Sequence, residues 1–171
     1  MEFAGLRNRR KRQRKRRNRF FPAPLMKVRG VFFTEVSMPK ISDEVKDFLK
    51  NRLCFVATVD SKGMPNLVAK GDIAALDEEH LIFADLYAHQ TKKNLIKNPN
   101  VAVSVVNPAS YRGYQFKGKA EIIERGKIYD LLARQITDGG QLNHPDAKYA
   151  VKIKVDKIID IGYGETADME I

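Results

Sequence analysis

A chain of 171 residues has room for one domain with a real core and an appendage. Its formal net charge of +10 is uneven: residues 1–37 hold 12 Lys/Arg against 2 Asp/Glu, which leaves 19 of each in residues 38–171. No apolar stretch is long enough for a membrane-spanning helix, and Cys54 as the single cysteine excludes an internal disulfide.

The segment 1–37 carries all of the excess charge. It contains the block "RNRRKRQRKRRNR", residues 7–19, followed by "FFPAP". Like charges this dense repel one another and bury no apolar surface, so the segment is expected to be disordered on its own. Two origins stand side by side: an arm whose residues 7–19 contact nucleic acid, or translated upstream sequence ahead of a start at Met26 or Met38. A DNA-binding arm would lose affinity steeply with salt, and deleting residues 1–37 would abolish binding. The stretch "KRRNRFFPAPLM" has the paired arginines of an export signal, but Pro22, Pro24, Lys27 and Arg29 cut its apolar part short. A cytoplasmic protein is expected.

Organised patterning begins near Met38. In "ISDEVKDFLKNRL", Ser42 is placed to cap a helix with Asp43 and Glu44 in its first turn. Val45, Phe48, Leu49 and Leu53 follow at helical spacing. "LCFVATV" reads as a buried strand, with Cys54 as a small core residue, and "DSKG" as its turn. "MPNLVAKGDIAAL" predicts a longer strand with Gly71 near its middle, at a bulge or a close backbone approach. After the turn "DEEH" comes the strand "LIFAD". The helix "TKKNLIKN" then stops at Asn98-Pro99, because proline lacks the N–H a helix needs. "VAVSVV" is expected to be a strand buried on both faces. In "GYQFKGKAEII", Tyr114, Phe116, Gly118, Ala120 and Ile122 alternate with Gln115, Lys117, Lys119 and Glu121. "RGKIYDLLARQI" predicts a second long helix with Ile128, Leu131, Leu132 and Ile136 on its apolar stripe. A polar Gly-Gly loop leads to two last strands, "YAVKIKV" and "KIIDIG". The fold class is therefore mainly β with peripheral helices, six or seven strands forming one antiparallel barrel over residues 38–171.

His80, His89 and His144 stand apart with no partner at ligand spacing, which argues against a metal site. There is no Walker loop, G-x-S-x-G or G-x-G-x-x-G, so neither a Rossmann domain nor a hydrolase elbow is expected. Any redox or transfer chemistry would have to come from a cofactor. The helix start in "HQTKKNL" gathers Thr91, Lys92, Lys93 and Asn94. Unpaired N–H groups and the positive dipole end of a helix suit an anion. On residue type alone, the same stretch also reads as a solvated helix start.

The order of "DSKGMPNLVAKG", the strand "LIFAD", the Thr-Lys-type helix start, "KNPNVAVSVV" and "YQFKGKAEII" resembles the pyridoxamine 5'-phosphate oxidase-like FMN-binding split-barrel family, from Lys40 to Gly162. The resemblance implies a homodimeric split barrel with FMN at the subunit interface. By that likeness Thr91, Lys92 and Lys93 bind the phosphate, flanked by Gln90 and Asn94. Val68, Ala69, Lys70 and Gly71 run beside the isoalloxazine, with Ala84 and Asp85 nearby. Tyr114 and Gln115 reach a flavin from the second subunit. Lys70 would stabilise the reduced, anionic ring. Two features depart from true pyridoxamine phosphate oxidases. The segment "IGYGETADMEI" has none of their substrate-gripping arginines, and Thr-Lys-Lys replaces Ser-Arg-Lys at the phosphate helix. The resemblance therefore implies an FMN-dependent oxidoreductase of the small flavin-reductase type, not a vitamin B6 oxidase. It would work on a small molecule or a protein redox partner. An FMN-holding electron carrier is the second reading. A deazaflavin cofactor, its acidic tail lying along Lys117 and Lys119, is the third.

Overall fold

A computed structural model describes residues 26–28, 31–33, 39–71, 73–87, 89–138 and 146–171. The chain divides into two units, Met1–Ser37 and Met38–Ile171. In the first, β1 (Met26–Val28) and β2 (Val31–Phe33) pair antiparallel, with Met26 opposite Phe33. The arm of residues 7–19, and with it most of the segment expected to be disordered, lies outside the described residues.

The second unit opens with α1 (Asp43–Leu49). Ser42 caps it, its hydroxyl accepting from the Val45 N–H at 3.4 Å, and Asp43 and Glu44 occupy the first turn. Val45, Phe48 and Leu49 are buried, but Leu53 is not on this stripe. The helix has ended four residues earlier, Asn51 turns the chain through a left-handed φ of 55°, and Leu53 is exposed.

Seven strands form the main path of one antiparallel sheet: β3 (Cys54–Val59), β4 (Pro65–Lys70), β5 (Ala74–Ala75), β6 (His80–Asp85), β7 (Asn100–Asn107), β8 (Arg112–Ile123) and β9 (Tyr149–Asp160). Their order in the sheet is β4-β3-β7-β8-β9-β6-β5, and a short β10 (Met169–Glu170) adds to β9. The sheet curls into a half-barrel around Val56, Phe83, Val103, Phe116, Tyr149 and Val151, all fully or almost fully buried. Two further helices complete the unit, α2 (Gln90–Lys97) and α3 (Lys127–Asp138).

Three details differ from the sequence expectations. Gly71 does not bulge a long strand; it ends β4, and Ala74–Ala75 form the separate β5. "YAVKIKV" and "KIIDIG" are one strand, β9, whose Asp156 is the extra residue of a bulge opposite Lys117 and Gly118. Leu131 is 54% exposed, and α3 packs instead through Leu132, with Ile128, Tyr129 and Ala133 beside it. The Ile136 side chain and the Gly-Gly loop fall outside the described residues.

The bulge creates a demand for glycine. A Cβ on Gly118 would stand 2.0 Å from the Lys154 carbonyl oxygen. The alternation expected for β8 holds: Tyr114, Phe116 and Gly118 are buried, while Lys117, Lys119 and Glu121 are exposed.

The outer face of the sheet is covered unevenly. Where β6 and β9 meet, α3 covers Ile82, Ala84 and Ala150. Over β3, β4 and β7, no described element does so. Phe55 stands opposite Ala69 and Ser104, and Ala57 opposite Leu67 and Ala102. Phe55 is 37%, Leu67 64% and Val106 45% exposed. Among the described residues the apolar runs "LCFVATV" and "VAVSVV" are thus buried on one face only, where "VAVSVV" was expected to be buried on both.

Candidate functional site

Two polar clusters meet where the two ends of the sheet approach each other. The first docks α2. Asn94 and Thr91, one turn apart, both point inward and are 1% and 4% exposed. Asn94 donates to Thr58 Oγ1 at 3.0 Å and accepts from Gln90 Nε2 at 2.7 Å. Asn66 donates to Thr91 Oγ1 at 3.4 Å and to Thr58 Oγ1 at 3.5 Å, the outer limit of such a bond. Among the described residues, no buried side-chain polar atom lacks a partner.

The outward side of the same helix start is different. The residue before it, His89, makes no side-chain cap bond, and the first turn holds no acid. Among the described residues the first N–H groups of α2 have no side-chain acceptor, at the positive end of the helix dipole. Gln90 and Lys93 stand beside them, exposed. Lys93 forms no ion pair among the described residues, whereas Lys92 bonds Glu124 at 2.7 Å and holds Glu124 below the usual carboxylate range.

The second cluster spans the seam. Lys70 on β4, at one end of the sheet, lies 3.3 Å from Asp85 on β6, near the other end. Their side chains are 14% and 5% exposed. Tyr149 on β9 donates its hydroxyl to the second Asp85 oxygen at 2.6 Å, and the Tyr87 N–H donates to the first at 3.1 Å. Burial pushes the Asp85 carboxyl up, but the Tyr149 and Tyr87 hydrogen bonds and the Lys70 charge outweigh it and hold the group below its ordinary range. Burial and the adjacent carboxylate push the Tyr149 phenol far above its own range. It stays protonated and can only donate to Asp85.

The structure thus brings together Lys70, Asp85, Gln90, Thr91, Lys92, Lys93 and Asn94. Val68 packs toward the core on β4, Ala69 faces outward, and Gly71 has no neighbour within 4 Å of a built Cβ. Three of the residues named from sequence lie away from this cluster within one chain: Ala84, and Tyr114 and Gln115, which were expected to act from a second subunit. Ala84 lies on the opposite face of β6, beneath α3. Tyr114 is a core residue, edge-on to Phe48 at 5.0 Å, with its hydroxyl bonded to Arg112. Its neighbour Gln115 faces outward and bonds Ser104 at 3.3 Å. Sequence reasoning missed Thr58, Asn66, Glu124 and Tyr149. A threonine at an inward position of "LCFVATV" was a legible signal for Thr58; nothing near Tyr149 pointed to Asp85.

A cavity of about 460 Å³ lies elsewhere, between α1 and β5, against Leu49, Ile73 and Ala75. Its lysines, Lys46 and Lys50, are already paired to Asp43 and Asp47 of their own helix. It offers no free charge to a ligand. Among the described residues, no helix is long and apolar enough to cross a membrane.

This half-barrel, with a helix start at its seam, is a split-barrel architecture. The pyridoxamine 5'-phosphate oxidase family model matches residues 41–162. The chain belongs to that family. An uncharacterized protein of Methanocaldococcus jannaschii is 33% identical over 135 residues, 77% of this chain and 87% of that one. Among solved structures, HupZ of Group A Streptococcus is 30% identical with a TM-score of 0.67, covering 74% of this chain and 98% of that one. An F420 reductase is 27% identical with a TM-score of 0.53, covering 66% and 94%. An FMN-binding protein of Syntrophomonas wolfei shares the fold at 17% identity and a TM-score of 0.58, covering 66% and 78%.

Proposed function

We propose that this protein is a homodimeric, FMN-dependent oxidoreductase whose cofactor lies along the seam between β4 and α2. The observation that carries this reading is the start of α2: backbone donors with no side-chain cap, no acid in the first turn, and Lys93 exposed without an ion pair among the described residues. That donor set fits a phosphate. Lys93 and the first N–H groups bind it, with Gln90 beside them, while Thr91 and Asn94 hold the helix in place from behind. Lys70 keeps a positive charge beside the ring. Bound there, the flavin supplies the redox chemistry, exchanging two electrons as a hydride between a donor, such as a reduced nicotinamide, and an acceptor.

The reading predicts a yellow protein that releases FMN on denaturation. Gly71 makes the sharper test. No described protein atom requires glycine there, so Gly71→Ala is expected to melt like the parent. If the backbone closely approaches a flavin at this point, the same change weakens FMN binding at least about tenfold, through steric exclusion of the ring. A colourless protein that refuses added FMN would end the proposal.

The second copy is argued from the uncovered outer face of β3, β4 and β7. Burying Phe55, Leu67 and Val106 needs a partner, and standard interfaces bury about 1,200–2,000 Å². Leu67→Glu is expected to yield a folded monomer in sedimentation equilibrium; a parent that is itself monomeric at all concentrations would refute the dimer.

One observation favours a deazaflavin as the alternative cofactor, besides the F420 reductase likeness. On the outer face β8 and β9 set Lys117 opposite Lys157 and Lys119 opposite Lys154. Like charges directly opposite are unfavourable unless an anion joins them. Only Lys157 has an ion-pair partner among the described residues, Glu170 at 2.9 Å. Competition between FMN and a deazaflavin for the cofactor-free protein decides between the two.

A further inference from the structure

Tyr149 is absent from the site expected from the sequence, yet it links two cationic side chains at the seam, Lys92 directly and Lys70 through Asp85. Its hydroxyl bonds Asp85 at 2.6 Å, and Asp85 in turn pairs with Lys70 at 3.3 Å. Its ring face lies 4.9 Å from the Lys92 ammonium, which Glu124 holds from the other side. Tyr149 itself is fully buried, at the start of β9 and directly opposite Asp85 across the β6–β9 ladder. β9 pairs with β6 at Tyr149 and with β8 from Ala150 onward.

We propose that Tyr149 is a positioning residue that sets two lysines at the seam, Lys70 beside the flavin ring through Asp85 and Lys92 through its ring face; the claim rests on the flavin reading above. Lys70 and Lys92 carry long, flexible chains with large rotamer entropy. A lysine that must present its charge at one point beside a ring works better when that entropy is already lost. Without the Tyr149 hydroxyl, Asp85 has one donor fewer and draws Lys70 more strongly to itself. The positive field at the ring then falls, and the reduced anionic flavin is less well stabilised.

The test uses the full chain as parent, Tyr149→Phe, Lys70→Met and the double variant. In the cofactor-free protein, lysine acetylation is followed by mass spectrometry, with exposed Lys93 as internal reference. Tyr149→Phe keeps the ring, so Lys70 labelling is expected to fall about fivefold relative to Lys93 while Lys92 labelling stays constant. With FMN bound, Tyr149→Phe and Lys70→Met should both move the flavin midpoint potential to more negative values. The double variant should move it no further than Lys70→Met, because Tyr149 acts through Lys70. Unchanged Lys70 labelling in a Tyr149→Phe protein of native melting temperature overturns the proposal, as do additive potential shifts. A parent that takes up no flavin removes the flavin reading instead, and the labelling alone then decides whether Tyr149 tethers the lysines.

Discussion

Gly118→Ala is expected to destabilise the domain by at least about 3 kcal/mol, through overpacking and the ladder hydrogen bonds it breaks. The added methyl would lie 2.0 Å from the Lys154 carbonyl oxygen, 2.9 Å from its carbon and 3.1 Å from the Val155 Cα. All three are backbone atoms in the middle of β9, so no side-chain rotation relieves the clash. The strands must separate where the bulge already leaves one residue unpaired. Domains of this size are stable by about 5–15 kcal/mol, so the loss is a large share of the total. Urea denaturation of Gly118→Ala beside Gly71→Ala provides the contrast, since nothing lies within 4 Å of a Cβ at Gly71. Equal midpoints for the two variants would show that β8 and β9 do not approach so closely.

Asp85→Asn is expected to lose about 3 kcal/mol at neutral pH, the lower end for breaking a buried ion pair from one side. The variant keeps the shape of the side chain but leaves the Lys70 ammonium uncompensated. Lys70 retains 14% of its side-chain surface, which lets it partly regain water. The pH dependence is the more specific signature. Asp85 is held below its ordinary value of 3.8 in the folded protein. Its contribution is therefore complete above that value and is lost as pH falls through its own, lower one. Parent and variant stabilities should converge in strong acid; a gap that stays constant from neutral to acid pH would mean the Asp85 charge contributes nothing.

Periodicity made the inner face of the barrel legible. Alternation in "GYQFKGKAEII" assigned the buried side of β8 correctly, and Ser42 and Pro99 marked helix ends by their local chemistry. The runs "LCFVATV" and "VAVSVV" misled because apolar continuity reports that both faces avoid water without saying what covers them. Among the described residues the outer face of β3, β4 and β7 remains open. The helix start of the site was readable as a local motif. The seam was not: Lys70, Asp85 and Tyr149 come from three strands, and their meeting depends on how far the sheet curls. The inward turn of Thr91 likewise follows from the docking of α2 on Asn66 and Thr58, which residue type does not encode.

The place of β9 in the sheet has a consequence for how the protein is made. β6 finds its long partner only when Tyr149 arrives, 64 residues after Asp85, and until then it is paired with the two residues of β5 alone. A chain emerging from the ribosome therefore holds Leu81, Ile82 and Phe83 on an open strand edge through the synthesis of α2, β7, β8 and α3. Such long-range closure makes folding slow and leaves the nascent chain prone to pairing with its neighbours. Once β9 inserts between β8 and β6, the barrel wall and the lysine seam form together, so the proposed cofactor site is tied to the completion of folding.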